Sequence, residues 1–243
     1  MLKKIEPTLD ASAENKLVWT KPCHEEEKNE VLDEISEEIQ SYVETEIIPR
    51  YDTFDAGHRR DHVLGVISSS LFLARSYALN VSMVYTIAAY HDVGLVNGRE
   101  HHHTDSARLM RADEKLRQWF SEEEIAIMCD AVEDHRASSG HPPRTLYGCV
   151  VADADHDNTP EMVVRRTIQY GLKNCGEMTY EEQRARCYAH FAEKYDEGGY
   201  LHFWLRESEQ SPNLRNLRAL LHDAPRLQNV FDRIYKEELA RKG

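Results

Sequence analysis

Histidine and aspartate side chains stand at positions where the surrounding sequence is apolar. The chain has 13 histidines among 243 residues. The doublet His91-Asp92 ends the most apolar helical pattern of the chain, and His135 continues an apolar stripe at helical spacing. An ionised carboxylate in such surroundings is costly unless it is paired or binds a cation. Imidazole and carboxylate groups that converge from separate helices suit a divalent transition metal, so these residues predict a metal site.

Each candidate ligand also has a simpler structural explanation. His62, on an amphipathic helix, could be a hydrogen-bonded core histidine, and His91-Asp92 could cap a buried helix end. Asp153 and Asp155 follow an apolar run, and either of them could supply a further carboxylate. The combination of these positions, rather than any one of them, favours metal binding.

The elements that must position these residues are predicted to be helices. Apolar residues recur at helical spacing over residues 31–47, 63–78 and 81–92. Gly94 is predicted to end the third of these helices as its C-terminal cap. A capping-box pattern at Ser121 predicts the start of a further helix. Other helical patterns cover residues 109–120, 125–135, 147–155, 162–172, 180–195, 212–221 and 225–239.

The predicted fold class is all-α, because no alternating run of apolar and polar residues is long enough to form a strand. Residues 1–27 are polar and irregular and are predicted to be a loose N-terminal extension. Residues 28–243 are predicted to form a single helical domain, in which residues 50–160 carry the motifs and residues 161–243 add C-terminal helices. A chain of this length can bury a core without a metal, so a bound metal would serve function rather than folding.

Charge and cysteine usage restrict the partners and the compartment. The net charge of −13 argues against nucleic-acid binding, although a bound cation would reverse the local field for a small phosphorylated substrate. The five cysteines are odd in number and show no Cys-x-x-Cys spacing, which indicates free thiols in a reducing compartment. The sequence shows no signal-peptide pattern and no apolar stretch of membrane-spanning length. These features predict a cytoplasmic protein without a membrane partner.

The order of the candidate ligands resembles the signature of the HD superfamily of metal-dependent phosphohydrolases. In that signature a histidine, here His62, precedes a His-Asp doublet, here His91-Asp92, and a final aspartate. The family's final aspartate follows alanine and precedes a basic residue, which favours Asp155 over Asp153. The resemblance therefore implies His62, His91, Asp92 and Asp155 as metal ligands.

Sequence around the ligands extends this resemblance to residues 50–160. HVLGV at residues 62–66 and AAYHDVG at residues 88–94 surround the first histidine and the doublet. EDHRAS at residues 133–138 and VADAD at residues 151–155 look like the corresponding segments of a bacterial subgroup of largely uncharacterised HD proteins. The resemblance implies an HD-domain helical bundle with additional C-terminal helices.

The resemblance also implies a set of ligands for a second metal ion. Family members with two metals add two histidines between the doublet and the final aspartate, and His102 and His135 are the candidates here. His103 is the alternative to His102, which is favoured because it lies two helical turns before Leu109. The implied cofactor is a divalent transition metal (Mn, Fe, Ni, Co or Zn), with one or two ions per chain. Two ions would lie about 3.5–4 Å apart.

One departure from the family limits the substrate. Cyclic-dinucleotide phosphodiesterases of the superfamily carry a second histidine and a Gly-Tyr-Pro sequence after the position of His135. This chain has RASSGHPP at residues 136–143 instead. Cleavage of cyclic di-GMP is therefore not predicted.

The resemblance implies hydrolysis of a phosphate ester or anhydride, in a nucleotide or another small phosphorylated metabolite, through metal-activated water. Asp92 is the leading catalytic candidate, because it could bridge two metals or orient the attacking water. Glu133 and Asp134 are candidates for a general acid or for groups that orient the ligand imidazoles.

Three further residues are predicted to bind the substrate. Arg59 and Arg136 are close in sequence to ligands and could hold a phosphate bidentately, although either could instead form a surface ion pair. His58 lies one helical turn before His62 and could reach the same pocket.

Two other functions fit the same sequence. Some HD-fold proteins with a similar ligand set hold two irons and activate oxygen, and a third class would bind a nucleotide as a non-catalytic regulatory module. The intact ligand set argues against the regulatory module. The leucine-rich C-terminal helices could cover the core or form a homodimer face, of which core cover is the simpler interpretation.

Overall fold

The structure, a computed structural model, describes residues 34–55, 57–139 and 141–241. The predicted N-terminal extension, residues 1–27, lies outside the described residues. Within the described ranges the regular elements are helical and no strand occurs, which confirms the all-α prediction. None of the helices described is both long and apolar enough to cross a membrane.

The first part of the chain forms the helices that surround the candidate ligands. They are α1 (Glu37–Tyr42), α2 (Arg60–Ala74), α3 (Val81–Tyr90), α4 (His102–Ala112), α5 (Glu122–Asp134) and α6 (Leu146–His156). A π-helical turn (Val43–Ile47) and a 3-10 helix (Ile48–Thr53) continue α1, and two more 3-10 helices (Val93–Asn97 and Glu114–Gln118) precede α4 and α5.

The second part of the chain consists of α7 (Pro160–Asn174), α8 (Tyr180–Tyr195), α9 (Arg206–Glu209), α10 (Pro212–Leu221) and α11 (Ala224–Ala240). The helical patterns predict all of these elements except α9. Because α9 has only 4 residues, it is too short to show a helical period.

Side-chain caps explain where several of the helices begin. Ser121 and Glu124 form the predicted capping box at the start of α5. Asn80 accepts hydrogen bonds from two backbone N–H groups at the start of α3. It therefore separates α2 from α3 as the N-terminal cap of α3. Asp113 caps the 3-10 helix Glu114–Gln118 and divides the single helix predicted over residues 109–120.

Gly94 does not cap α3, contrary to the sequence prediction. Helix α3 ends at Tyr90, and Gly94 lies inside the 3-10 helix Val93–Asn97, where its N–H donates to Ser106 Oγ at 2.8 Å. A Cβ atom at this position would lie 2.2 Å from the carbonyl oxygen of His102. The glycine therefore permits close approach of the first turn of α4, which carries His102.

The buried apolar side chains form two separate clusters. The first core is built from α1 to α6 and their 3-10 helices, and it also includes Leu205, which precedes α9. The second core is built from α7, α8, α10 and α11, with Phe191 and Phe231 fully buried in it. The candidate ligands lie on helices of the first core, at its side toward α7 and α8.

Candidate metal centre

Six side chains of the types expected for a metal site converge on the first core. The structure assigns them to two groups that could each hold an ion, His62 with His91 and Asp155, and Asp92 with His102 and His135. They come from α2, the turn after α3, the start of α4, the end of α5 and α6. All six were predicted from the sequence, and the fold brings them together.

Distances between the ligand atoms show that Asp92 joins the two groups. Its Oδ2 lies 3.3 Å from His91 Nε2 and 3.5 Å from His62 Nε2. Its Oδ1 lies 3.5 Å from both His102 Nε2 and His135 Nε2. The carboxylate thus presents one oxygen to each group, as a ligand that bridges two ions would.

The donor atoms fit a divalent transition metal in spacing and in kind. His62 Nε2 lies 3.1 Å from His91 Nε2 and 3.2 Å from Asp155 Oδ1. Ligand atoms that each lie about 2.1 Å from a shared ion are about 3–3.4 Å from one another. Four imidazoles and two carboxylates, without a thiolate, are suitable for Mn, Fe, Co, Ni or Zn.

Backbone carbonyls orient three of the four imidazoles. The Nδ1 atoms of His91, His102 and His135 lie 2.7, 2.8 and 2.6 Å from carbonyl oxygens three residues earlier in the chain. A carbonyl only accepts hydrogen bonds, so Nδ1 must carry the proton. Each neutral imidazole then directs the lone pair of Nε2 toward the centre, as coordination requires.

The charges of the ligand set depend on one another. Burial would lower the pKa of His91, but the Asp92 carboxylate, the Asp155 carboxylate and the Ala88 carbonyl together outweigh burial and raise this pKa to about 9. Burial would raise the pKa of Asp92, but the adjacent His91 and a hydrogen bond from His135 hold it well below its ordinary value. Burial and the charge of His135 lower the pKa of His102 to about 4. The carboxylates of the cluster therefore favour positive charge at this place, as they would favour a bound cation.

The alternative ligands lie away from the cluster. Asp153 accepts hydrogen bonds from the backbone N–H groups of Trp204 and Leu205, at 3.0 and 2.8 Å, and so fixes the segment before α9 to α6. His103 is outside both candidate groups, and its buried Nδ1 has no hydrogen-bond partner among the described residues. The structure therefore brings Asp155 and His102, rather than Asp153 and His103, to the centre.

Glu133 and Asp134 make no hydrogen bond to the ligand imidazoles, which corrects the orienting role predicted for them, and their role as a general acid stays a prediction. Both carboxylates bind the guanidinium of Arg144, at 2.6 Å and 2.8 Å. The prediction relied on their position beside His135 in the sequence. Because successive residues of a helix point in different directions, the side chains before His135 face the loop that carries Arg144.

A cleft of about 1450 Å³ opens over the cluster, between the first core and helices α7 and α8. The predicted substrate-binding residues His58, Arg59 and Arg136 all line it. His58 Nδ1 lies 2.7 Å from Asp55 Oδ1, and Arg136 donates to the carbonyl of Glu100 at 3.0 Å. Arg59 is exposed, so its guanidinium is available to a ligand.

The opposite wall of the cleft contains residues that the sequence analysis missed. It is formed by side chains of α7 and α8, among them Arg166, Tyr170 and Lys194. These residues are distant from the motifs in sequence. The available signal was the position of Lys194, a cation directly beside the buried stripe of Cys187, Phe191 and Tyr195 on α8.

Comparison with known proteins supports the motif interpretation. Residues 59–158 match the family model of the HD domain, and this range contains all six candidate ligands. Searches of curated proteins and of solved structures found no match to the chain.

Proposed function

Because the chain belongs to the HD-domain superfamily, through residues 59–158, we propose that it is a phosphohydrolase acting on a nucleotide or another small phosphorylated metabolite. HD domains bind divalent metals and are commonly metal-dependent hydrolases. The observation that carries the proposal is the division of the Asp92 carboxylate between two groups of ligand-type side chains. This arrangement is suited to two ions, which is a common basis for phosphate ester hydrolysis.

With a metal bound, side chains of this protein would position the metal and the reactants. A bound divalent ion lowers the pKa of a water molecule and polarises a phosphoryl oxygen. Asp92 and Asp155 provide the negative charge at the centre, and His62 and His91 fix the position of their donor atoms. In this proposal no protein side chain acts as the nucleophile.

The charge of the cleft favours an anionic substrate. Although the chain has a net charge of −13, basic side chains line the cleft on both walls. They are Arg59, Arg136, Arg166, Lys173, Arg186 and Lys194, whereas Arg99 and Arg241 pair with the cleft carboxylates Asp55 and Glu238. Guanidinium groups bind phosphate oxygens with charge-assisted, often bidentate hydrogen bonds.

Aromatic side chains near the centre favour a nucleotide over a simple sugar phosphate. A second pocket of about 430 Å³ shares His135 and His156 with the cleft, and it is lined by Tyr200, His202 and Trp204. Tyr200 and Trp204 are 38% and 40% exposed, so their rings are accessible to a ligand. Planar bases stack on such rings.

The test is metal analysis of protein purified without added metal, followed by a phosphate-release assay. The substrates are nucleoside mono-, di- and triphosphates, together with ribose 5-phosphate. Release that a chelator abolishes and added metal restores supports the proposal, and preference for nucleotides supports the finer substrate class. Iron-dependent oxygen consumption without phosphate release would favour an oxygenase instead. Nucleotide binding without any turnover would favour a regulatory module.

A further inference from the structure

Arg166, on α7, contacts one of the candidate ligands directly. Its Nη2 lies 2.8 Å from His62 Nδ1. The Nδ1 atoms of the other three candidate histidines, His91, His102 and His135, face backbone carbonyl oxygens. His62 is thus the one of the four whose Nδ1 faces a cation from the C-terminal helices.

Arg166 lies at the border between the candidate ligands and the cleft. Its guanidinium contacts His62, and the same residue lines the cleft that opens over the cluster. A phosphate group held in the cleft beside the candidate ligands would therefore be within reach of Arg166.

Lys194, on α8, is the second cation at this place. Among the described residues, no carboxylate oxygen lies within 4.0 Å of its ammonium group, and the same is true of the Arg166 guanidinium. Burial, with smaller effects of Arg166 and Arg99, lowers the pKa of Lys194 to about 8 against the opposite effect of the Asp155 carboxylate. Cations at a cleft wall that no carboxylate pairs within 4.0 Å are expected to bind an anion.

We propose that Arg166 and Lys194 form a phosphate-binding site opposite the candidate metal ligands. The inference rests on the proposed function, because it assumes that the substrate carries a phosphate group. Both residues lie beyond residues 59–158, so the C-terminal helices would supply part of the substrate site to the HD domain. In this proposal Arg166 and Lys194 bind the phosphate and take no part in proton transfer.

The test measures two affinities on the full-length chain, prepared as wild type and as the variants Arg166→Ala and Lys194→Gln. Mn²⁺ affinity is measured on metal-free protein from the electron paramagnetic resonance signal of free Mn²⁺. Inorganic phosphate affinity is measured on Mn²⁺-loaded protein by calorimetry. Arg184→Gln is the matched control, because Arg184 lies on α8 over the Tyr180 ring and outside the cleft. Circular dichroism establishes that each variant is folded.

Both cleft variants should weaken phosphate binding at least about tenfold, the loss expected for one charge-assisted hydrogen bond. Arg166→Ala should bind Mn²⁺ as tightly as wild type or more tightly, because a positive charge near the candidate ligands is removed. Arg184→Gln should match wild type in both measurements. If Arg166→Ala does not fold, Arg166→Lys provides the second case, since lysine keeps the charge but not the planar guanidinium.

Two results would overturn the inference. If phosphate affinity is unchanged in both variants, or if wild type binds no phosphate when loaded with Mn²⁺, the site does not exist. If Arg166→Ala loses Mn²⁺ and phosphate affinity together, Arg166 only supports the fold of the centre. Failure of the proposed function is distinct from both, because phosphate binding that depends on Arg166 and Lys194, without hydrolysis of any ester, would leave the site valid and remove the activity.

Discussion

Buried charges are compensated by different kinds of side chains in the two cores of the molecule. In the second core, Glu238 is 6% exposed and binds Arg165, Arg241 and Gln169, so guanidinium and amide donors compensate its charge. In the first core, Asp92 is 4% exposed, and its partners are imidazoles that converge on the same point. The difference shows how a structural ion pair can be told from a ligand set. The partners of a structural ion pair surround one buried charged group, whereas the side chains of a ligand set surround a space that an ion can fill.

The largest effect should come from Asp92→Ala. The carboxylate presents one oxygen to each group of ligands, so its loss should abolish metal-dependent phosphate release and reduce metal affinity by more than the roughly 10–100-fold change typical of outer-shell partners. Helix content should stay near that of wild type, because the apolar side chains of the first core are untouched. Metal content, phosphate release and circular dichroism measure the three expectations.

Asp130→Ala is the control for this variant, since Asp130 is a half-exposed carboxylate on α5 that pairs with Arg144 outside the cluster. It should retain metal and activity. An Asp92→Ala protein that keeps full metal content would contradict the assignment of Asp92 as a ligand.

Gly94→Ala should affect the first core at the place where α4 approaches it. The new methyl group would lie 2.2 Å from the backbone oxygen of His102, so the first turn of α4 must shift. We expect a loss of about 1–3 kcal/mol in the free energy of unfolding and a lower metal stoichiometry, because His102 moves with the turn. Gly65→Ala is the control, since no atom lies within 4 Å of a Cβ there. An unchanged metal stoichiometry together with a clear loss of stability would show that Gly94 does not help to position the metal centre.

Arg165→Met tests the compensation of the buried Glu238 carboxylate in the second core. Removing one partner of the buried Glu238 should lower the free energy of unfolding by about 1–3 kcal/mol, because Gln169 and Arg241 still bind the carboxylate. Metal content should not change. Arg233→Met, in an exposed pair with Glu161, should cost at most about 0.5 kcal/mol. Thermal unfolding measures both, and loss of metal in Arg165→Met would show that the two cores are not independent in this respect.

The smallest effect concerns the pH dependence of phosphate binding through Lys194. The pKa of Lys194 is lowered to about 8, so the ammonium group loses its charge as pH rises through that value. Asp155 favours the charged form, whereas burial, Arg166 and Arg99 oppose it. The ratio of phosphate affinities of wild type and Lys194→Gln should therefore fall by up to about tenfold between pH 7 and pH 9. A constant ratio over this range would show that Lys194 does not contact phosphate.

The site residues that could be predicted from the sequence are those that lie at the ends of helices. His91, Asp92 and His135 stand where apolar helical patterns stop, so the sequence shows both their burial and their direction. The role of Gly94 could not be predicted, because it depends on the approach of a different helix, and a glycine after a helix equally indicates a cap. Arg166 and Lys194 could not be assigned to the cleft, since their proximity to His62 and Asp155 arises only from the packing of α7 and α8 against the first core.

The position of Leu205 in the first core affects how the molecule unfolds. The chain passes from the first core to the second at α7, returns to the first core at Leu205, and crosses again before α10. On its return it is fastened by the Asp153 carboxylate and by a hydrogen bond from Tyr77 to Glu207 on α9. Either core can separate only if this return segment is pulled from the other one, so melting of the second core would disturb α6. The two walls of the cleft are therefore connected by topology as well as by packing, and they should denature in one cooperative transition.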